Sequence, residues 1–464
     1  MRFLFINPNR RIARSNIWSL VNSVTPPLGL AILCAVLDAN GHESGIIDAY
    51  AENLQTEDIM SAVSTDIDVI GITATTPEIE SAAIIAKSIR KRFPDKKIIM
   101  GGVHPTVFHQ NLVEEDICDM VVRGEGEQAI LLIAAKTPMQ NIPNLTWKSA
   151  DGKVVVNPQK EEYVHLDDLP MPSYNKLPMR RYRSAIGAAM RSPSVGMITS
   201  RGCPGKCTFC YSGMFGEKIR YLSAENVYQQ IIYLQTNYGI REISFYDDTF
   251  TANLRRVEQL CQLIISNHID ISWSCFARVD TVNPGILQLM KKAGCHQIMY
   301  GFETTDENIL KAVNKRVKLN QYENVISWTR DAQIDIRGAF MLGSPEETQA
   351  SMRATIAYAK KIDIQYAIFN ITTPFPGTEL FNWAVQTGTL RHKRWAEYDL
   401  SHVILSLPSV SPQKVQDYYK KAYREFYFRL SYILPRLLNI KTMDDLRMYF
   451  TAAKGFILNV LKGK

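Results

Sequence analysis

The chain has 464 residues, of which 46% are hydrophobic and 21% charged, the composition of a globular protein that is too long for a single core. Its net charge of +7 is a mild basic excess, and no Lys/Arg-rich tract with interleaved aromatic residues indicates a nucleic-acid partner. The N-terminus lacks a signal peptide's apolar segment, and no apolar run reaches the ~18 residues of a membrane-spanning helix. Two or three domains in the cytoplasm are predicted.

Eight cysteines in a chain of this size do not form a disulfide framework. Three are clustered, and the other five stand apart in apolar surroundings. We expect those five to be buried, reduced thiols, which suits a reducing compartment. They are Cys34, Cys118, Cys261, Cys275 and Cys295.

Residues 1–140 alternate short β-branched strands with helical patterns, which predicts a doubly wound parallel sheet. Helices are predicted near residues 28–40, 56–64 and 79–93. The predicted strands are residues 2–7, 44–48, 69–73, 97–102 and 120–123.

The ends of these strands are rich in glycine, proline and hydroxyl residues, and ligands of such sheets bind beyond the carboxyl ends of the strands. Free backbone N–H groups there can receive a phosphate or a flat, amide-bearing ring. A site of nucleotide size is predicted, of unspecified identity. The absence of a G-x-G-x-x-G fingerprint counts against NAD.

Residues 141–194 are interpreted as a connecting segment. Residues 145–156 alternate around Asp151-Gly152, a hairpin signal, and prolines and mixed charges follow. Arg180, Arg181 and Arg183 could meet an acidic ligand, although a solvated linker face is the simpler interpretation.

Residues 195–400 contain six strand-like runs separated by helical stretches such as residues 223–238 and 254–267, which predicts a partial (β/α)6 barrel. The active site of such a barrel lies at the carboxyl ends of its strands. The strand-like runs are residues 196–200, 242–246, 271–277, 297–301, 334–342 and 365–372.

Three cysteines, Cys203, Cys207 and Cys210, have the spacing C-x3-C-x2-C in a loop that follows the first of these runs. Thiolates at such spacing can converge on one inorganic centre, and three ligands leave one iron of a four-iron cluster open. Phe209, directly before the third cysteine, can shield the cluster from water. A zinc site is the alternative, but it would need a fourth ligand at short range.

This C-x3-C-x-aromatic-C motif resembles the signature of radical S-adenosylmethionine (SAM) enzymes. In that family three cysteines hold a [4Fe–4S] cluster, SAM chelates the open iron, and reductive cleavage of SAM gives a 5′-deoxyadenosyl radical. The resemblance therefore implies a cluster on the three cysteines, bound SAM, and an electron donor such as flavodoxin or ferredoxin.

Polar residues at the other strand ends are candidates for SAM binding. SAM needs an acceptor for its ribose hydroxyls or amino group, which Glu303 and either Asp247 or Asp248 could supply, and a cation for its carboxylate, which Arg278 could supply. Strand-end acids are often helix caps, and only one of the two aspartates is expected to point inward. The resemblance implies a SAM-binding set of Phe209, Asp247, Asp248, Arg278 and Glu303.

Three motifs near the N-terminus, P-P-L-G-L, G-G-x-H-P-T and G-E-G-E, are similar to the cobalamin-binding domain that precedes the radical SAM core in one subgroup. The D-x-H-x-x-G motif that supplies a cobalt ligand in other cobalamin proteins is absent. His104 is a candidate ligand; otherwise it caps the next turn or contacts the corrin edge. The implied cobalamin-binding set is Thr25, Pro26, Gly29, Thr73, Thr75, Gly101, Gly102, His104, Glu125 and Gly126.

Residues 401–464 are predicted to be helical, over residues 412–429 and 444–461, with a basic C-terminal end. A helical cap on the barrel is favoured over peripheral membrane contact. Similar tails occur in family members that act on porphyrins and lipids, which makes the expected small-molecule substrate an apolar one.

The resemblance implies hydrogen abstraction from an unactivated carbon followed by methyl transfer from methylcobalamin. The alternatives are an oxidative cyclisation, as in the anaerobic magnesium-protoporphyrin ester cyclases that the chain also resembles, and a non-catalytic iron–sulfur or tetrapyrrole sensor. Methyl transfer requires the strand ends of both domains to face each other, so residues 141–194 should pack as a fixed bridge.

Overall fold

The computed structural model describes residues 1–9, 23–159, 163–185, 187–211, 213–216 and 218–438. They form two α/β domains, each built on a largely or wholly parallel sheet, followed by two further helices. This is the fold class that the sequence predicts.

The first domain contains a seven-stranded sheet in the order β2-β1-β3-β4-β5-β6-β7. The first five strands are parallel, and the last two add to β5 as an antiparallel hairpin. The hairpin predicted in the connecting segment therefore extends the first sheet. The strands are β1 (Arg2–Asn7), β2 (Glu43–Asp48), β3 (Val69–Thr73), β4 (Lys97–Gly101), β5 (Met120–Val122), β6 (Leu145–Lys148) and β7 (Val154–Val156).

Helices cover both faces of this sheet. Phe3 and Phe5 pack on one face with Leu37, and Leu4 and Ile6 pack on the other with Ile85, as the alternation of side chains along a strand requires. The strand order reverses between β1 and β3, so the ligand crevice of this domain opens at the carboxyl ends of those strands. The helices are α1 (Leu28–Ala39), α2 (Ala49–Glu52), α3 (Thr56–Ala62), α4 (Ile79–Arg92), α5 (Val103–Val107), α6 (His109–Glu114) and α7 (Glu127–Ala134).

The segment between the domains is fixed by contacts to the first domain. The Tyr182 hydroxyl donates to the buried Asp48 carboxylate at 2.7 Å, and the Lys176 ammonium pairs with Asp38 at 2.6 Å. Val24 and Arg183 exchange two backbone hydrogen bonds. These contacts hold the connection against α1 and the end of β2.

The second domain is an open, curled sheet of six parallel strands in the order β15-β14-β13-β12-β11-β8, the predicted partial barrel. Its strands are β8 (Ser194–Met197), β11 (Glu242–Phe245), β12 (Ser272–Ala277), β13 (Cys295–Glu303), β14 (Asp335–Leu342) and β15 (Tyr366–Ile371). Helices follow the strands: α8 (Ala224–Tyr238), α9 (Leu254–Ser266), α10 (Pro284–Lys292), α11 (Glu307–Ala312), α12 (Leu319–Asp331), α13 (Gln349–Lys361) and α14 (Glu379–Gln386).

The first barrel strand differs from its prediction. It ends at Met197, and the chain resumes extended structure only in β9 (Ser200–Arg201), which pairs with β10 (Arg220–Tyr221). The cause is Asp247, whose carboxylate accepts from the backbone N–H groups of Thr199 and Ser200 at 2.6 Å each and draws them out of the sheet.

The five scattered cysteines are buried, as predicted. The tail helix α15 (Pro412–Tyr427) packs on β15, and α16 (Leu430–Leu438) follows it. The predicted helix over residues 444–461 lies outside the described residues. Among the helices that the structure describes, none is long and apolar enough to cross a membrane.

Candidate active site between the two domains

The loop that carries Cys203, Cys207 and Cys210 starts at Gly202, whose φ of 95° sets the turn out of β9. Two segments that follow other barrel strands hold it in place, the loop after α11 and the start of α14. The Thr208 N–H donates to the Val313 carbonyl at 3.1 Å, and the Leu380 N–H donates to the Thr208 carbonyl at 2.9 Å. The Asn314 amide donates to the Lys206 carbonyl at 2.7 Å.

The interior of this loop is shaped around the thiols. A Cβ at Gly205 would stand 3.5 Å from the Cys203 sulfur, 3.7 Å from the Cys207 sulfur and 2.9 Å from an Arg278 nitrogen. Glycine leaves the most space between the two sulfurs and Arg278, which fits a loop that wraps an inorganic cluster. Among the described residues, no three Cys, His, Asp or Glu side chains stand close enough to share a single metal ion.

Cys207 lies in a mixed electrostatic environment. Burial raises the pKa of its thiol, and the nearby Lys315 and Arg278 cations oppose that rise. These two cations favour the thiolate, which is the form that binds iron. Phe209, the aromatic residue of the motif, is half-buried against the barrel core.

Glu303 lies at a strained point of the fourth barrel strand. The pairing of β13 with β14 is irregular between Gly301 and Glu303, and Glu303 has a φ of 61°. Its carboxylate accepts from the Lys315 ammonium at 2.7 Å, and both side chains are buried. Left-handed backbone at a non-glycine residue is costly and concentrates at functional sites.

Lys315 is a site residue that the sequence did not indicate. Burial alone would lower the pKa of its ammonium group, but Glu303 and the Cys207 thiol together raise it above the ordinary value. Its carbonyl accepts from Arg278, whose guanidinium also makes two hydrogen bonds to Asp280 at 2.9 and 2.8 Å. Glu303, Lys315 and Arg278 therefore form one charged group beside the cysteine loop.

The two aspartates at the end of β11 are not equivalent. Asp247 is fully buried, and its oxygens accept from the Thr199 and Ser200 backbone and from the Thr199 hydroxyl. Its role in this structure is to shape the β8–β9 turn that leads into the cysteine loop. Asp248 is exposed at the strand end and is the aspartate available to a ligand.

The first domain brings its glycine-rich strand ends to the same region. Gly102 has a φ of 98°, and a Cβ there would stand 2.9 Å from the Ala74 carbonyl oxygen. Gly29 has open space at its Cβ position, while the Thr25 methyl lies against Gly196 of β8. The remaining predicted residues, Pro26, Thr73, Gly101 and Gly126, lie at these strand and helix ends.

Two of the residues that were predicted to contact cobalamin interact with other side chains of this protein. Thr75 forms a capping box, in which its N–H and hydroxyl donate to the Glu78 carboxylate at 3.0 and 2.7 Å. His104 is only 3% exposed, with its imidazole 3.3 Å from the Thr76 hydroxyl and its ring packed between Phe108 and Trp395. Burial, with a contribution from His392, lowers the pKa of His104 to about 4.

His104 is therefore enclosed between the two domains. Its ring centroid lies 4.9 Å from that of Trp395, which follows the last barrel strand. The aromatic residues that enclose it come from segments far apart in the chain, so the sequence motif alone could not reveal this role.

The G-E-G-E motif also joins the two domains. Glu125 forms ion pairs with Arg201 at 3.0 Å and with Arg220, and Glu127 forms one with Arg201. The four side chains are largely buried, with exposures of 6% to 17%. Arg201 precedes Cys203 by two residues, so the loop after β5 contacts the base of the cysteine loop directly.

A second contact places the strand ends of the two domains face to face. A Cβ at Gly377, in the loop after β15, would stand 2.7 Å from the Tyr211 ring and 2.9 Å from the Val107 side chain. Val107 belongs to α5, which follows Gly102, and Tyr211 follows Cys210. The glycine-rich edge of the first domain and the cysteine loop thus border one common region.

Comparison with known proteins identifies both domains. Residues 17–134 match the B12 binding domain family, and residues 197–359 match the Radical SAM superfamily. An uncharacterized methyltransferase of Pyrococcus horikoshii is 35% identical, over 92% of this chain and 93% of its own length. An anaerobic magnesium-protoporphyrin IX monomethyl ester cyclase of Rubrivivax gelatinosus is 27% identical, over 82% of this chain and 69% of its own.

The fold has a counterpart among solved structures. The cobalamin-dependent SAM radical enzyme OxsB, with aqua-cobalamin and SAM bound, superposes with a TM-score of 0.74 at 14% identity, covering 99% of this chain and 72% of that one. The chain belongs to the radical SAM enzymes that carry an N-terminal B12-binding domain.

Proposed function

We propose that the enzyme transfers a methyl group to an unactivated carbon of a small-molecule substrate bound between its two domains. The observation that carries this proposal is the buried contact of Glu125 and Glu127 with Arg201, because it fixes the strand ends of the B12-binding domain against the cysteine loop. Methyl transfer from one cofactor to a substrate carbon that the other cofactor activates needs such a fixed geometry, since small displacements cost rate heavily.

The bound cofactors supply one-electron cleavage of SAM, hydrogen abstraction and methyl donation, and the protein supplies positions and charges. Cys203, Cys207 and Cys210 would hold the [4Fe–4S] cluster, with Gly205 leaving room for it. Reduced flavodoxin or ferredoxin would provide the electron.

The charged group beside the cluster would bind SAM. Arg278 and Lys315 offer cations to the SAM carboxylate, and Asp248 and Glu303 offer acceptors to its amino group or ribose hydroxyls. Asp247 would act indirectly, through the β8–β9 turn that it holds.

The corrin would lie against the strand ends of the first domain. Gly29, whose Cβ position is open, leaves room for a large flat ligand, with Thr25, Pro26, Thr73, Gly101, Gly102 and Gly126 around it. His104, which is enclosed by Phe108 and Trp395, would support this surface from behind.

An apolar substrate is part of the proposal. The relative from Rubrivivax gelatinosus, whose name specifies a tetrapyrrole ester, is consistent with such a substrate.

Label transfer from SAM tests the reaction. The reconstituted enzyme, a reductant and SAM with a deuterated methyl group are incubated anaerobically with an extract of the host cells, and products are compared by mass. A product that gains a deuterated methyl group supports methyl transfer. Oxidative cyclisation, which similarity to the cyclase favours as the second candidate, would instead remove hydrogens without incorporating label.

A further inference from the structure

A groove of about 570 Å³ lies between α11 and the start of α12, next to the cysteine loop. Its charged lining consists of three cations, Lys311, Arg316 and Lys318, and one carboxylate, Glu307. All four residues are exposed. Lys206 of the cysteine loop is exposed as well, so the positive charge continues from the groove onto that loop.

Direct hydrogen bonds join the groove to the cysteine loop. Asn314, which lines the groove, donates to the Lys206 carbonyl at 2.7 Å, and the neighbouring Val313 carbonyl accepts from Thr208 at 3.1 Å. Lys206 and Thr208 flank Cys207. A molecule that contacts Asn314 in the groove would therefore be close to Cys207, a candidate cluster ligand, because Asn314 is hydrogen-bonded to the residue directly before it.

The backbone between the two helices divides its side chains between the groove and the interior. Asn314 and Arg316 have φ values of 52° and 56°, and Lys315 lies between them. The Lys315 side chain is turned inward to Glu303. The Arg316 side chain is exposed, and its guanidinium donates to the side-chain oxygen of Asn314 at 2.8 Å. One short loop thus presents a cation to the groove and another to the SAM-binding region.

We propose that this groove is the docking surface for an acidic one-electron carrier protein that reduces the cluster. The proposal rests on the proposed function, in which SAM cleavage consumes one electron. The reduced carrier would lose that electron to the cluster, and the bound cofactors would use it to break one sulfonium C–S bond of SAM, with methionine and a 5′-deoxyadenosyl radical as the products. A positive groove draws an acidic partner by electrostatic steering, and Cys210 is exposed on the loop that the groove contacts.

The test measures cluster reduction in the holoenzyme by stopped-flow absorbance, with a reduced flavodoxin or with dithionite as donor. The double variant Lys311→Glu/Lys318→Glu reverses two groove charges and leaves Arg316 and its loop intact. We expect the rate with flavodoxin to fall about tenfold at low salt and the difference from wild type to shrink at high salt. Reduction by dithionite, which needs no docking surface, should stay within about twofold of wild type.

The matched control is Lys414→Glu/Lys420→Glu, which reverses two exposed charges on α15 and should leave both rates unchanged. An unchanged flavodoxin rate in the groove variant would overturn the docking surface, as would an equal loss in the control. Equal loss with both donors would also overturn it, because it would indicate damage to the cluster site. Wild-type enzyme that takes up electrons but does not cleave SAM would instead contradict the proposed function.

Discussion

Arg201 of β9 and Glu127 of α7 form a buried ion pair between the barrel and the B12-binding domain. Glu125 adds a second carboxylate to the same guanidinium and also pairs with Arg220. Burial alone would lower the pKa of Arg201, but the two carboxylates raise it, so the guanidinium stays charged in the interface. The two domains are thus connected by an ionic contact two residues before Cys203.

Replacing Glu125 by glutamine should weaken this interface without changing the size of the side chain. Removing one member of a buried ionic group leaves the others incompletely paired and costs about 3–5 kcal/mol. We expect lower resistance to denaturant, and weaker cobalamin retention because the strand ends lose their fixed position. Unfolding curves and the cobalamin absorbance of the purified protein measure both effects.

Asp116→Asn is the control for this variant. Asp116 pairs with Lys148 at 2.5 Å, but its side chain is 75% exposed, and exposed pairs contribute little to stability. If Glu125→Gln behaves like Asp116→Asn in both measurements, the ionic contact does not position the domains.

Substituting Cys203, Cys207 and Cys210 by alanine should abolish cluster binding. The purified wild-type protein should contain about four irons per chain after reconstitution, and the triple variant close to none. Cys261→Ala is the matched control, because Cys261 is buried away from the loop and should keep the full iron content. A triple variant that retains its iron and cleaves SAM would refute the ligand assignment.

The sequence predicted those parts of the fold and site that are encoded locally. The spacing of Cys203, Cys207 and Cys210 falls within one loop, and the parallel sheets follow from alternating strands and helices over short stretches. The stretch predicted to be helical over residues 223–238 is α8 with its cap, because the Ser223 hydroxyl accepts from the Asn226 N–H. Such features depend on neighbours in the chain.

Roles that depend on distant partners could not be predicted in the same way. Glu125 forms an ion pair with Arg220, which is 95 residues away in the sequence. No local sequence pattern distinguishes a carboxylate that pairs between domains from one that contacts a corrin. Asp247 and Asp248 are adjacent in the sequence. The position of the Thr199–Ser200 turn alone decides which of the two carboxylates accepts its backbone hydrogen bonds. Lys315 is directed inward by two left-handed neighbours, and backbone conformation of that kind leaves no sequence signal except in glycine.

Replacing Glu303 by glutamine should weaken SAM binding. A carboxylate that bonds a charged or polar group of a ligand contributes about 1.5–3 kcal/mol, which corresponds to roughly tenfold to a hundredfold in affinity. Equilibrium binding of SAM to the reconstituted enzyme measures the change, and iron content shows that the cluster remains. Glu307→Gln, which alters an exposed carboxylate in the neighbouring groove, should bind SAM normally. Unchanged affinity in Glu303→Gln would remove Glu303 from the SAM site.

His104 makes stability depend on pH in the acidic range. Its pKa is about 4 in the folded protein and about 6.5 when unfolded, so below pH 6.5 the unfolded chain binds a proton that the folded one does not. Stability is therefore full above pH 6.5 and falls on acidification, by about 2 kcal/mol at pH 5. Denaturant unfolding of wild type and His104→Asn between pH 7 and 5 should show a steeper decline for wild type. Equal slopes would mean that His104 is not a buried, neutral imidazole.

The hydroxyls of Tyr423 and Tyr427 on α15 close the exposed edge of the barrel's last strand. Tyr423 accepts from the Phe369 N–H at 3.0 Å and donates to its carbonyl at 2.9 Å, and Tyr427 makes the same pair of bonds with Ala367 at 3.2 and 2.8 Å. Because β15 has a strand on only one side, these hydroxyls satisfy backbone groups that a seventh strand would otherwise pair with.

Tyr423→Phe should therefore destabilise the protein by about 1–3 kcal/mol, the cost of leaving buried polar groups without partners. Tyr358→Phe is the matched control, since the buried Tyr358 hydroxyl has no hydrogen-bond partner among the described residues and its loss should be neutral or slightly stabilising. Denaturant midpoints of the two variants give the comparison, and hydrogen exchange at Phe369 locates the effect on β15. Equal midpoints for the two variants, with unchanged protection of the Phe369 N–H, would show that the tyrosine does not secure this edge.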